Sequence, residues 1–182
     1  MGKKPKPILT PLDLARGMIS FDPRNGKFHW KIHITNARKK PGDIAGYLSS
    51  NKEYWRINLM GQEIRAHRLA WYLHYGEDPG ADLLVDHING DSLDNRIDNL
   101  RLVTESENSK NRKKGNNNTT GFKGVYQNKD GSISARIDVN GKNKYLGSFK
   151  TVELAAKAYK EASIKYHGEF RRVEDLALSN AV

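Results

Sequence analysis

The 182-residue chain contains no cysteine. That absence excludes disulfides and every zinc site built on thiolates. Long hydrophobic runs are missing too: nothing approaches the ~20 apolar residues of a membrane-spanning helix. The opening Met1-Gly2-Lys3-Lys4-Pro5-Lys6-Pro7 is basic with no apolar segment behind it, which is not the pattern of a secretory signal. Aromatic residues make up only 9% and hydrophobic residues 37%, enough for small cores and too much for wholesale disorder. At roughly 100–200 residues per domain, one ordinary domain or two small ones are expected. These absences leave a soluble, cytoplasmic protein with no membrane partner and no small-molecule cofactor as the expectation.

Positive charge is abundant: Lys and Arg number 31 against 21 Asp and Glu, a net charge of +10. A polyanion is the natural partner. The charge is unevenly spread. Residues 1–66 carry +8, residues 67–108 carry −6, and residues 109–182 carry +8. Carboxylates beside a phosphate backbone repel it unless a cation intervenes. Two basic arms that hold nucleic acid around an acidic centre that holds a metal account for this distribution. A merely solvated acidic face accounts for it equally well on charge alone.

Local patterns suggest elements. Thr10-Pro11-Leu12-Asp13-Leu14 opens a short helix. Asp22–Gly26 is a turn, Lys27–Ile34 alternates as a strand, and Tyr54–Leu59 and Glu63–Ala66 are paired strands. His67–Tyr75 places Leu69, Tyr72 and Leu73 on one helical face, with Gly76 as its stop. Leu83–Ile88 and Leu100–Val103 are strands flanking a loop dense in Asp, Asn and Gly. Thr104 and Glu107 then form a capping box. Residues 109–121 are polar, basic and without period. Beyond them Ile133, Ala135, Ile137 and Val139 alternate with polar residues, and Asn140-Gly141 signals a type I′ hairpin. Thr151 caps a helix with an apolar stripe of Val152, Ala155, Tyr159, Ala162 and Tyr166, ended by Gly168.

The acidic stretch carries the chemistry. Hydrolysis of a phosphodiester needs a base for water, positive charge on the crowded phosphate, and neutralisation of the leaving 3′-oxygen. A neutral imidazole suits the first task near pH 7. A divalent cation suits the others, and oxygen donors such as Asp and Asn favour Mg2+ or Mn2+ over zinc. Taken singly, His87 reads as an ordinary satisfied histidine and Asn99 as a turn residue. Asp86 and His87, as strand neighbours, point to opposite faces unless the strand end is distorted.

The order and spacing change this. His67-Arg68-Leu69-Ala70-Trp71, then Val85-Asp86-His87-Ile88-Asn89-Gly90-Asp91, then Asn95-Arg96-Ile97-Asp98-Asn99-Leu100-Arg101, then Glu107-Asn108 closely resemble the HNH endonucleases, in the branch typical of phage genomes and group I intron homing endonucleases. The resemblance implies a ββα-metal fold over about residues 83–112. It implies Asp86 and Asn108 as ligands of one divalent metal, His87 as general base, and Asn99 bracing the loop and orienting His87. Products would be a 5′-phosphate and a 3′-hydroxyl. His67 and His74 read as structural.

A second resemblance covers about residues 119–172. Gly121-Phe122-Lys123-Gly124-Val125-Tyr126, Ser134-Ala135-Arg136-Ile137, Tyr145-Leu146-Gly147-Ser148-Phe149 and Ala155-Ala156-Lys157-Ala158-Tyr159 resemble the AP2/ERF DNA-binding domain. That family lays a three-stranded sheet in the major groove with a helix behind it. By the resemblance Ser134, Arg136 and Asp138 face DNA, and contacts fall to Lys123, Tyr126, Asn128, Arg136, Asn143 and Tyr145.

Together these give an α+β expectation. It comprises a β-rich module at 1–66, a nuclease unit at 67–112, a basic linker at 113–121, an AP2-like domain at 122–172, and a tail at 173–182. The expected function is metal-dependent cleavage of double-stranded DNA by a monomer that nicks or a homodimer that breaks both strands. The alternatives are a DNA-binding regulator with an inactive HNH unit and a basic RNA-binding protein; the latter gives no account of the acidic stretch.

Overall fold

Helix α1 (Leu9–Met18) leads into a hairpin of β1 (Ile19–Asp22) and β2 (Lys27–Trp30). In the computed structural model, which describes residues 9–35, 38–112, 114–115 and 118–172, Leu12 and Ala15 are buried one turn apart on the inner face of α1. The tail expected at 173–182 and the first eight residues lie outside the described residues. The hairpin pairs Ile19 with Trp30 and Asp22 with Lys27 in antiparallel register. The strand expected to run to Ile34 stops at Trp30. There the chain turns back: Trp30 N–H donates to the Asp43 carbonyl at 2.9 Å and its carbonyl accepts from Gly42 N–H at 2.8 Å. Ile34 keeps only an isolated bridge to Lys39.

Three short strands follow, β3 (Tyr47–Leu48), β4 (Trp55–Leu59) and β5 (Gln62–Arg65), in that spatial order and antiparallel. Met60 and Gly61 both adopt positive φ (52° and 85°), the geometry that lets a two-residue turn follow the strand twist. Helix α2 (Ala66–Tyr75) ends as expected at Gly76, whose φ of 85° lets its N–H reach the Tyr72 carbonyl. Leu69 and Tyr72 are buried. They join one core with Leu12, Ile19, Phe28, Trp30, Ile57, Leu59, Ile97 and Leu100. Full burial of such side chains contributes ~1.5–3 kcal/mol each. This core spans both the 1–66 segment and the strand-and-loop region after α2.

Strands β6 (Leu84–His87) and β7 (Leu100–Val103) pair as a two-stranded sheet, and helix α3 (Glu105–Lys110) follows. The capping box forms: Thr104 Oγ1 accepts from Glu107 N–H, and the Glu107 carboxylate accepts from Thr104 N–H.

The last module is a sheet of β8 (Val125–Gln127), β9 (Ile133–Val139) and β10 (Lys142–Phe149), in the order β10-β9-β8, all antiparallel. Asn140 and Gly141 make the β9–β10 turn with φ of 54° and 74°. Helix α4 (Val152–His167) packs on this sheet through Ala155, Tyr159 and Ala162. Small residues at Ala135, Ala155 and Ala156 let helix and sheet approach closely. A Cβ at Gly124 would lie 2.2 Å from the Tyr159 ring, so glycine is required there. The end of the polar stretch read as linker is tied down: Thr120 Oγ1 donates to the Val125 carbonyl at 3.0 Å and Asn118 Oδ1 accepts from Gly121 N–H at 2.8 Å.

The chain divides into two compact units, one running through His87 and including Asp91–Leu102, the other comprising Ile88–Gly90 and the described chain from Val103. Mixed helices and small sheets make the fold α+β. No described helix is long and apolar enough to cross a membrane.

Candidate active site

The acidic loop between β6 and β7 folds on its own side chains. Leu93 N–H donates to Asp91 Oδ1 at 3.0 Å, and Arg96 grips the Asp94 carboxylate through Nε and Nη2 at 2.8 and 2.6 Å. Asn99, in a single turn of 3-10 helix (Ile97–Asn99), donates from Nδ2 to the Asp94 carbonyl at 2.8 Å. Short Asp and Asn side chains that bond nearby backbone explain why this stretch turns instead of extending β6.

His87 closes β6 and is buried, with its ring Nε2 3.2 Å from Asn95 Oδ1. An amide oxygen only accepts, so Nε2 carries the ring proton and Nδ1 holds the lone pair. Burial depresses the His87 pKa below 6.5. The bond to Asn95 and the charges of Asp86, Asp91 and Asp94 pull the other way without overcoming it. The imidazole is therefore neutral at pH 7, the form that accepts a proton. Asn95 was not among the residues singled out from the sequence. Its signal was its place inside the Asp/Asn-rich loop, which marks a turn but not which side chain meets the histidine.

His67 is the second unanticipated neighbour. Its ring stands edge-on to His87, centroids 5.0 Å apart with an interplanar angle of 85°, and Tyr54 lies 5.8 Å away on another side. Burial, with the charges of His87, Arg65 and Arg68, lowers its pKa to about 3. The reading of His67 as a structural helix residue therefore omitted its contact with His87.

Asp86 meets Arg101 across the β6–β7 pair: Arg101 Nε and Nη2 donate to Asp86 Oδ2 at 3.0 and 2.9 Å, and both side chains are largely buried. Asn108 lies on α3, in the other compact unit. Among the described residues no group of three or more His, Cys, Asp or Glu side chains is arranged to hold a metal by itself. The donors singled out, one carboxylate and one amide oxygen, are hard ligands that suit Mg2+ or Mn2+ with water and phosphate completing the shell.

A family model described as HNH endonuclease matches residues 65–110. Protein 3.8 of Escherichia phage T7 is 33% identical over 109 residues, 59% of this chain and 88% of that protein. An uncharacterized HNH endonuclease of Acanthamoeba polyphaga mimivirus is 31% identical over 108 residues, 59% of this chain and 56% of that protein. The chain belongs to the HNH endonuclease family. The HNH match begins just before α2 and ends with α3, so it takes in His67, Asp86, His87, Asn95, Asn99, Arg101 and Asn108. Membership in this family supports a nuclease acting on DNA. An AP2/ERF and B3 domain-containing transcription factor of Arabidopsis thaliana is 48% identical over 48 residues, 26% of this chain and 14% of that protein. No solved structure gives a significant match to this HNH chain.

The β8–β9–β10 sheet places the expected DNA contacts unequally. Tyr126, Arg136, Asn143 and Tyr145 are exposed, and the Arg136 guanidinium lies 5.9 Å from the Tyr126 ring centroid. Tyr145 pairs directly with Arg136 across the strands. Lys123 is half-buried and donates from Nζ to the Lys110 carbonyl at 2.7 Å. Asn128 donates to Ser132 Oγ at 2.9 Å and accepts from Ser134 Oγ at 3.4 Å. Ser134, expected to face DNA, is 1% exposed. Its strand parity is that of Arg136, but it is buried and its hydroxyl donates to Asn128 Oδ1.

Proposed function

We propose that this chain is a metal-dependent HNH endonuclease that hydrolyses phosphodiester bonds of duplex DNA, with His87 as general base. The observation that carries this reading is the buried imidazole of His87 at the end of β6, with its ring Nε2 3.2 Å from Asn95 Oδ1. The His87 imidazole takes a proton from water as the water oxygen attacks phosphorus and the P–O3′ bond breaks, and the leaving 3′-oxygen takes a proton from solvent. The products are a 5′-phosphate and a 3′-hydroxyl. Asn99 braces the loop through the Asp94 carbonyl. By the family resemblance, Asp86 and Asn108 would be the protein ligands of one Mg2+ or Mn2+. When bound, that ion supplies charge to the phosphate and the leaving oxygen. Arg101, bonded to Asp86, fixes the carboxylate as outer partners of metal ligands do.

The order β6, loop, β7, α3 is assigned as the ββα-metal unit within residues 67–112. Residues 122–172 form an AP2-like sheet that docks on duplex DNA through Tyr126, Arg136, Asn143 and Tyr145. One base and one metal site per chain make a monomer a nicking enzyme. Purified protein incubated with supercoiled plasmid in Mg2+, Mn2+ or EDTA tests the reading. Metal-dependent open circles are expected, and His87→Ala loses about 10²–10⁴-fold in rate while retaining DNA binding. Full cleavage by that variant removes His87 from the role of base. DNA binding without cleavage of any target in either metal leaves a regulator with an inactive HNH unit.

A further inference from the structure

We propose that the β1–β2 turn, Asp22–Gly26, is a positioning element for His87 that acts through the backbone of Asn95. The proposal rests on the reading of His87 as general base. The turn and the catalytic loop lie some seventy positions apart in sequence, yet they meet at backbone level. Ile97 N–H donates to the Pro23 carbonyl at 3.0 Å. A Cβ on Gly26 would stand 2.7 Å from both the carbonyl carbon of Asn95 and the nitrogen of Arg96, and 3.1 Å from the Asn95 Cα. No real Cβ sits so close to backbone, so either the turn or the loop must move if Gly26 gains one.

The turn is built to resist such movement. Asp22 accepts from Arg24 N–H at 2.9 Å and from the Asn25 amide at 2.7 Å. Lys27 N–H donates to Asn25 Oδ1 at 2.9 Å, and Gly26 N–H to the Asp22 carbonyl at 2.9 Å. The hairpin is anchored by Ile19, Phe28 and Trp30 in the core. The loop is held at a second point, where Ser92 Oγ donates to the Glu53 carbonyl. The residue pressed by Gly26 is the one whose side chain meets His87 Nε2. Displacement of Asn95 is thus transmitted through a single hydrogen bond to the reacting ring. A shift of about 1 Å in such a group costs on the order of 10²-fold in rate.

Gly61 provides the matched control. It has a φ of 85° in the same unit, with nothing within 4 Å of an added Cβ. Gly26→Ala and Gly61→Ala therefore share the cost of a side chain at positive φ, but only the first presses on the loop. Three readouts decide: thermal midpoint, the kcat and KM of plasmid nicking, and histidine-ring nitrogen NMR of the metal-free protein. Gly26→Ala is expected to lower kcat by about tenfold or more with KM within about twofold, and to shift or broaden the His87 Nε2–H signal. Gly61→Ala is expected to keep both kcat and that signal. If Gly26→Ala does not fold, Asp22→Ala loosens the turn without crowding the loop and is expected to act in the same direction with a smaller effect.

Wild-type kcat and an unchanged His87 signal in a folded Gly26→Ala, or in Asp22→Ala where that variant stands in, overturn the proposal. An equal loss of kcat in Gly61→Ala overturns it too, by showing that general destabilisation suffices. The ring signal also separates this failure from failure of the parent reading. A wild-type protein that cannot cleave DNA removes His87 as base, while a ring signal that responds to Gly26→Ala still shows the turn holding His87 through Asn95.

Discussion

The β6–β7 loop and the β8–β9–β10 sheet are both small polar structures, yet they are held in opposite ways. The loop bonds to its own side chains and is also fastened to distant chain: His87 to His67, Ile97 to Pro23, Ser92 to Glu53. The sheet depends on its neighbours in sequence. Its hairpin closes over two residues, β8 pairs with β9 a few residues later, and α4 follows β10 directly to cover the inner face. The site assigned to chemistry is assembled by the fold, whereas the surface assigned to DNA binding is nearly self-contained. Mutations far from the loop should therefore reach catalysis, and mutations on the sheet should stay local.

The sharpest way to break this contrast is Asn95→Ala. It removes the acceptor for His87 Nε2–H while leaving the sheet untouched. A fall in kcat on the order of 10²-fold with unchanged DNA affinity is expected, because the ring loses its preferred tautomer and its orientation. Gel-shift titration in EDTA beside nicking kinetics in Mg2+ separates the two quantities. Equal losses in both would mean that loop and sheet are not separable functions.

The same contrast explains what was legible beforehand. The sheet and α4 were readable because their signals are local. Ile133, Ala135, Ile137 and Val139 alternate, Asn140-Gly141 supplies two positive φ angles, and Thr151 supplies the cap. The capping box of Thr104 and Glu107 was legible for the same reason. His87 stood out through its order and spacing with Asp86, Asn99 and Asn108. Asn95 did not, because a polar loop written in Asp and Asn does not say which amide turns inward. The Gly26 contact was invisible, since a glycine in a turn looks alike whether its missing Cβ faces solvent, as at Gly61, or the backbone of Asn95. Ser134 misled because strand parity gives the face of a residue, not whether that residue is exposed there.

A second and smaller effect sharpens the comparison from the other side. Arg136→Ala with Tyr126→Ala removes an exposed cation and the aromatic ring beside it. About tenfold weaker DNA binding is expected, with a salt dependence shallower by roughly one unit if Arg136 neutralises a phosphate. The rate at saturating DNA should hold. Uniform weakening across sequences identifies a phosphate contact, and loss of preference at one base pair identifies a base contact. A collapse of kcat at saturation would show that the sheet takes part in the chemistry.

The smallest effect concerns pH. Both buried imidazoles in the first unit favour the neutral form: His87 is shifted below 6.5, and His67 is lowered to about 3. A general base works only when unprotonated, so the rate should change by less than about twofold between pH 7.5 and 6.5 and decline below that, as pH falls through the folded pKa of His87. Stability should follow the same sign. Each group has a folded pKa below its unfolded value, so the unfolded chain binds more protons in the interval between the two. Stability is fully present above about pH 6.5 and drains as pH falls, for His67 down to about 3. Replacing His67 with Phe removes that group's proton linkage and keeps a ring against His87. The variant should show a flatter fall in thermal midpoint between pH 6.5 and 4 than the wild type. An unchanged slope would mean that His67 takes up its proton as readily in the folded chain as in the unfolded one, and that its burial does not lower its pKa.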